Sequence, residues 1–110
     1  MTPSQQDLPV EWVSIHEIRQ VFNQGNYFER IKSGELVARL RRNSHLVPPP
    51  KGEPFCTHSQ IHYYYTKEDS LVAVVHQYYR PDGKIGGSGL PDPKRLVLLN
   101  KIIAVRVNSP

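Results

Sequence analysis

A single cysteine, Cys56, rules out an internal disulfide, so the 110-residue chain has to be held by its own core. Long apolar runs are also missing. The longest, Leu71 to Val75 and Leu96 to Leu99, span about five residues against the roughly 20 that a membrane helix needs. The opening MTPSQQDLPV has neither the basic flank nor the apolar stretch of a secretory leader. Together these absences predict a protein of the reducing cytoplasm with no membrane partner. Structural zinc is excluded on the same ground. Cys56, His58 and His62 lie close together, but there is no second cysteine pair to complete four ligands, so no metal and no cofactor are expected. No internal repeat is present. A chain of this length closes one core, which predicts a single α+β domain over residues 1–110 with residues 1–10 as a loose arm.

What is present reads in two grammars. Ser14 precedes Glu17 by three residues and is flanked by Val13 and Ile18, the pattern of a capping box with a hydrophobic staple, so a helix starts at Ile15. Ile15, Ile18, Val21 and Phe22 form its apolar face, and Gly25 is expected to end it in a left-handed conformation. Asn26 is expected to cap a second, shorter helix that ends at Ser33 and Gly34. From Leu36 the period becomes two, predicting a strand to Arg41 and a turn at Asn43 and Ser44. Pro48, Pro49, Pro50, Gly52 and Pro54 read as an extended surface crossing. Ile61 to Thr66 and Leu71 to Arg80 then read as a hairpin, with Pro81, Asp82 and Gly83 as the closing turn. Arg95 to Leu99 and Ile102 to Val107 read as the last two strands. The expected architecture is two N-terminal helices packed on a twisted antiparallel sheet of four to five strands. A parallel sheet is excluded, because no crossover helix separates the strands.

Fourteen Lys and Arg against ten Asp and Glu give a net charge of +4, which suits an acidic partner. The stretch His76 to Arg95 sets an imidazole at a strand end beside Arg80, Lys84, Lys94 and Arg95 around a glycine loop. It reads as an anion-binding rim in which Gly87 and Ser88 offer backbone amides. A mobile loop without a ligand is the other reading. Five tyrosines, Tyr63, Tyr64, Tyr65, Tyr78 and Tyr79, crowd the hairpin, where they either pack the sheet or stack bases on its open side. RNA cleavage without a metal needs a base, an acid and phosphate-binding cations. The expected set is His76, Tyr78 and Arg80 for the chemistry, with Lys84, Lys94, Arg95, Gly87 and Ser88 on phosphate. Hairpin register decides whether His62 joins in. A two- or four-residue loop pairs Ile61 with His76 and sends His62 to the other face, whereas a three-residue loop brings the two histidines onto one face. The even loop, being commoner, is expected.

Two helices followed by a basic antiparallel sheet resemble the layout of small bacterial ribonucleases of the RelE and barnase type. Asp82-Gly83-Lys84, then Gly87-Ser88, then Asp92-Pro93-Lys94-Arg95 are similar to the ribonuclease domain of ribosome-cleaving colicins. These resemblances imply a bacterial RNA-binding or metal-independent RNA-cleaving module, with RNA and a protein inhibitor as partners. A noncatalytic protein-interaction domain is the alternative.

Overall fold

The structure, a computed structural model, describes residues 8–106. It is α+β, with two helices and a six-stranded mixed sheet. In chain order these are β1 (Val10–Trp12), α1 (Ile15–Gln24), α2 (Tyr27–Lys32), β2 (Val37–His45), β3 (His58–Tyr65), β4 (Leu71–Tyr79), β5 (Asp92–Val97) and β6 (Ile102–Ala104). The strands lie in the order β1-β6-β5-β4-β3-β2. No helix among the described residues is long and apolar enough to cross a membrane.

Three expectations about the sheet are corrected. It has six strands rather than four to five. Val10, assigned to the loose arm, begins a strand ahead of the helices; residues 1–7 of that arm lie outside the described residues. And β1 pairs with β6 in parallel, Val10 opposite Ile102 and Trp12 opposite Ala104. A parallel pair needs a long connection, and here the whole intervening chain supplies it, so the lack of crossover helices between neighbouring strands excluded too much.

Ser14 caps α1 as its spacing predicts: it accepts from the Glu17 N–H at 3.1 Å and its hydroxyl donates to Glu17 Oε1 at 3.1 Å. Gly25 does not take the left-handed turn. Its φ is −81°, and Asn26 adopts φ 52° instead, with no side-chain cap bond to α2. Glycine is needed at 25 for space, since a Cβ there would strike the Tyr27 ring, which stacks on Phe22 at 5.3 Å. Ile18, Phe22 and Tyr27 bury one sheet face together with Leu36, Tyr64, Ala73, Val75, Leu96, Ile103 and Val105. The opposite face carries no helix among the described residues.

β2 runs on through Asn43 and Ser44, where a turn is predicted, because a bulge between Leu40 and Arg42 restores its pairing with β3. β5 includes Pro93, tolerated because β6 reaches only Arg95 to Val97 and asks nothing of residue 93. The hairpin reaches the expected register by an unexpected route. Its loop has three residues, since the Thr66 N–H donates to Ser70 O at 2.9 Å and Asp69 sits at φ 65°. A three-residue loop alone would have put His62 and His76 on one face. Val72 is bulged out between the pairs Tyr65–Leu71 and Tyr64–Ala73, which shifts the strand back, and Ile61 faces His76 after all.

Candidate functional site

Strand alternation places Tyr63, Tyr65, Val74, His76, Tyr78 and Arg95 on the helix-free face. Trp12 joins them from β1, beside Ala104, and Arg106 continues the same side beyond β6. Trp12, Tyr63, Val74, Lys94, Arg95 and Arg106 line an open groove of about 600 Å³ across it. Aromatic rings and guanidiniums alternate. Arg39 lies over Tyr65 at 4.5 Å, Arg41 over Tyr63 at 5.2 Å, and Arg106 over Trp12 at 4.7 Å. Arg39 and Arg41, two residues apart, share the tyrosine side by strand alternation, and the bulge in β2 brings Arg42, the partner of Ile61, to that side as well.

His76 sits mid-sheet, half-buried. Its Nε2 is 2.8 Å from Ser59 Oγ, and Tyr78 meets its ring edge-on at 4.8 Å. Burial, and then the Lys94 charge, push the imidazole below the ordinary histidine value against the opposing pull of Asp92, so it is neutral at pH 7. Asp92, opposite His76 on β5, accepts from Lys94 Nζ at 2.9 Å and from Arg19 Nε of α1 at 3.0 Å. Burial pushes the Asp92 carboxyl up, but those two cations together outweigh it and hold it below the usual range.

The expected site residues therefore divide. His76, Tyr78, Lys94 and Arg95 share the open face. Arg80 and Gly87 meet elsewhere, around Glu53, a residue that the sequence did not single out. Arg80 grips the Glu53 carboxylate with Nε at 2.7 Å and Nη2 at 3.3 Å, and the Gly87 N–H donates to Oε1 at 2.6 Å. The Glu53 side chain is only 5% exposed. The Arg80 hydrogen bond, then the Gly87 amide, hold its carboxyl below the ordinary value. A Cβ on Gly86 would lie 2.6 Å from that carboxylate, which is why the loop needs glycine there. The rim thus binds an anion, and the anion is the chain's own. Ser88 is exposed and its Oγ accepts from the Leu90 N–H at 3.4 Å. Lys84 lies in the exposed turn beyond Arg80, where its N–H donates to Asp82 Oδ1 at 2.9 Å; its ammonium has no ion-pair partner among the described residues. One clue to Glu53 was available: it is the first acid after Glu35, ending a stretch whose only charges are cationic.

Ser59 and the cations Arg39, Arg41 and Arg106 were also missed as site residues. Ser59 falls before the predicted start of its strand; β2–β3 pairing brings Arg39 and Arg41 to the tyrosines, and β1–β6 pairing brings Arg106 to Trp12.

Among the described residues no group of three or more His, Cys, Asp or Glu side chains is placed to hold a metal ion. No family model matches the sequence, and no curated protein and no solved structure matches it either.

Proposed function

We propose that the protein binds single-stranded RNA on the helix-free face of its sheet. The observation that carries this reading is the alternation of Trp12, Tyr63 and Tyr65 with Arg106, Arg41 and Arg39 on one uncovered surface. Unpaired bases stack on aromatic rings whatever their identity, and neighbouring guanidiniums neutralise the phosphates between them. Neighbouring strands lie about 4.8 Å apart, so the five intervals from β1 to β2 span about 24 Å, the reach of a few extended nucleotides. An α-helix in a duplex groove would call for a different surface.

The chain's single tryptophan makes the test direct. Titrating a short oligouridine into the protein at low salt should quench Trp12 fluorescence, and Tyr63→Ala should weaken binding about 5- to 150-fold, the effect of losing one stacking platform worth about 1–3 kcal/mol. Absence of quenching together with absence of binding would reject the proposal.

Cleavage of the bound strand is a second reading, favoured by one observation: a neutral imidazole already holds a hydroxyl at its Nε2, with Lys94 close enough to lower its pKa. In this reading His76 takes the 2′-hydroxyl proton, the 2′-oxygen bonds to phosphorus as the P–O5′ bond breaks to leave a 2′,3′-cyclic phosphate, the leaving 5′-oxygen takes a proton from water, and Lys94 and Arg95 face the phosphate. Arg80 stays with Glu53. Loss of cleavage but not of binding in His76→Ala would support it; cleavage unchanged in that variant would reject it.

A further inference from the structure

The helix-side face of the sheet extends beyond the two helices, and its uncovered end carries a second group of polar side chains. His45 and His58 are register partners at the end of the β2–β3 pair, where the crossing of residues 46–57 leaves the sheet and returns. Their rings lie nearly parallel, 15° apart in plane, with centroids separated by 5.1 Å. Neighbouring hydrogen bonds fix which nitrogen of His58 is free. Its Nδ1 lies 3.0 Å from Asn43 Oδ1, and the Gln60 amide donates to that same oxygen at 3.2 Å. Gln60 is itself oriented, because its Oε1 meets His62 Nε2 at 2.9 Å and accepts from Gln77 Nε2 at 3.4 Å. An amide oxygen has no proton to give, so Nδ1 of His58 carries one and its Nε2 presents a lone pair. His45 is exposed and makes no hydrogen bond among the described residues, leaving its imidazole available as a second nitrogen donor.

We propose that His45 and His58 form a two-nitrogen chelate for Cu(II), with Asn43 as the residue that holds the His58 ring in position. An imidazole that gives its other N–H to a carbonyl oxygen is the arrangement found behind metal-bound histidines, because it sets both tautomer and orientation. Metal–nitrogen bonds of about 2.0–2.1 Å bring two adjacent donor atoms to about 3 Å from one another, so on binding the exposed His45 ring swings out of the stack until its plane crosses that of His58 at the metal. With only two protein ligands, water fills the remaining positions. Imidazole nitrogens bind Cu(II) more tightly than the other first-row divalent ions, whereas structural zinc needs four closed ligands that this surface does not offer. The chelate would tie off the base of the 46–57 crossing, on the face opposite the RNA surface, so it stands or falls independently of RNA binding.

The test uses the full chain carrying Cys56→Ser, which removes an exposed thiol that would reduce or capture copper. Adding one equivalent of Cu(II) should give an axial electron paramagnetic resonance signal whose echo modulation counts two coordinated imidazoles. His45→Gln and His58→Gln should each weaken binding at least 10-fold and reduce the count to one, while His16→Gln, on the exposed side of α1, should change neither. Asn43→Ala should cost about 10- to 100-fold in affinity, and Asn43→Asp, which keeps the acceptor, should restore it. A count of one imidazole in the parent chain, or an affinity unmoved by His45→Gln, would overturn the assignment.

Discussion

Removing Arg41 and Arg106 together should change the salt dependence of RNA binding by a calculable amount. The open face carries Arg39, Arg41, Arg42, Lys94, Arg95 and Arg106. Arg39 is paired with the exposed Asp69 and Lys94 with Asp92, while Arg41, Arg42, Arg95 and Arg106 have no acidic partner among the described residues. About four to six phosphates are therefore neutralised, and at about 0.7 released counterions per contact on a single strand the plot of log affinity against log salt should have a slope of about −2.8 to −4.2. Raising salt from about 50 to 200 mM should then weaken binding about 50- to 340-fold. The double alanine variant should lose about 1.4 from the magnitude of that slope, and should also release Tyr63 and Trp12 from their cation partners. Fluorescence anisotropy of a labelled oligouridine across four salt concentrations measures both quantities. A wild-type slope flatter than about −1, or a variant with the parent slope, would refute the idea that this face meets phosphate.

Further expectations concern the scaffold and the ionisable groups. Leu96→Ala, at a fully buried position between α1 and the sheet, should cost about 2–5 kcal/mol in urea unfolding. Gly25→Ala should destabilise despite a φ at which alanine is ordinarily favourable, because the Tyr27 ring fills the space; a gain in stability would contradict the packing reason given for that glycine. His62 and His76 both titrate below the ordinary histidine value, His62 from burial and His76 from burial and Lys94. The unfolded chain therefore takes up protons that the folded one refuses as pH falls below about 6.5, and unfolding free energy should fall through that window; two-dimensional NMR of the ring protons checks the order. Glu53 has the opposite sense. Its folded-state value is depressed, so the stability it contributes is present above the unfolded carboxylate value and is lost as acid titrates the folded pair. Glu53→Gln should reproduce the acid effect at neutral pH, seen as faster amide exchange at Gly87.

Local chemistry made much of this fold legible. The Ser14–Glu17 spacing located α1, the left-handed Gly34 ended the second helix, and period-two stretches found most strands. What escaped depends on long-range pairing. β1 is three residues long and exists only because the far end of the chain lies beside it. The hairpin is the most instructive case. The face of His76 was anticipated, but through an even loop that does not form, and the residue that rescues the register, Val72, looks like any other β-branched strand residue. Within the site, the tyrosines and His76 could be read from the sequence. Glu53 could not be assigned, because its three hydrogen bonds come from residues 27 and 34 positions away, and no local pattern signals that a carboxylate will occupy a glycine loop.

Mapping a bound oligouridine by amide and aromatic chemical-shift changes addresses the central idea most directly. Perturbations confined to Trp12, Tyr63, Tyr65, Tyr78, Arg95 and their neighbours, with the exposed helix positions His16, Gln20 and Glu29 undisturbed, are the predicted pattern. Shifts concentrated on the helices, or spread evenly over both sides of the sheet, would contradict it.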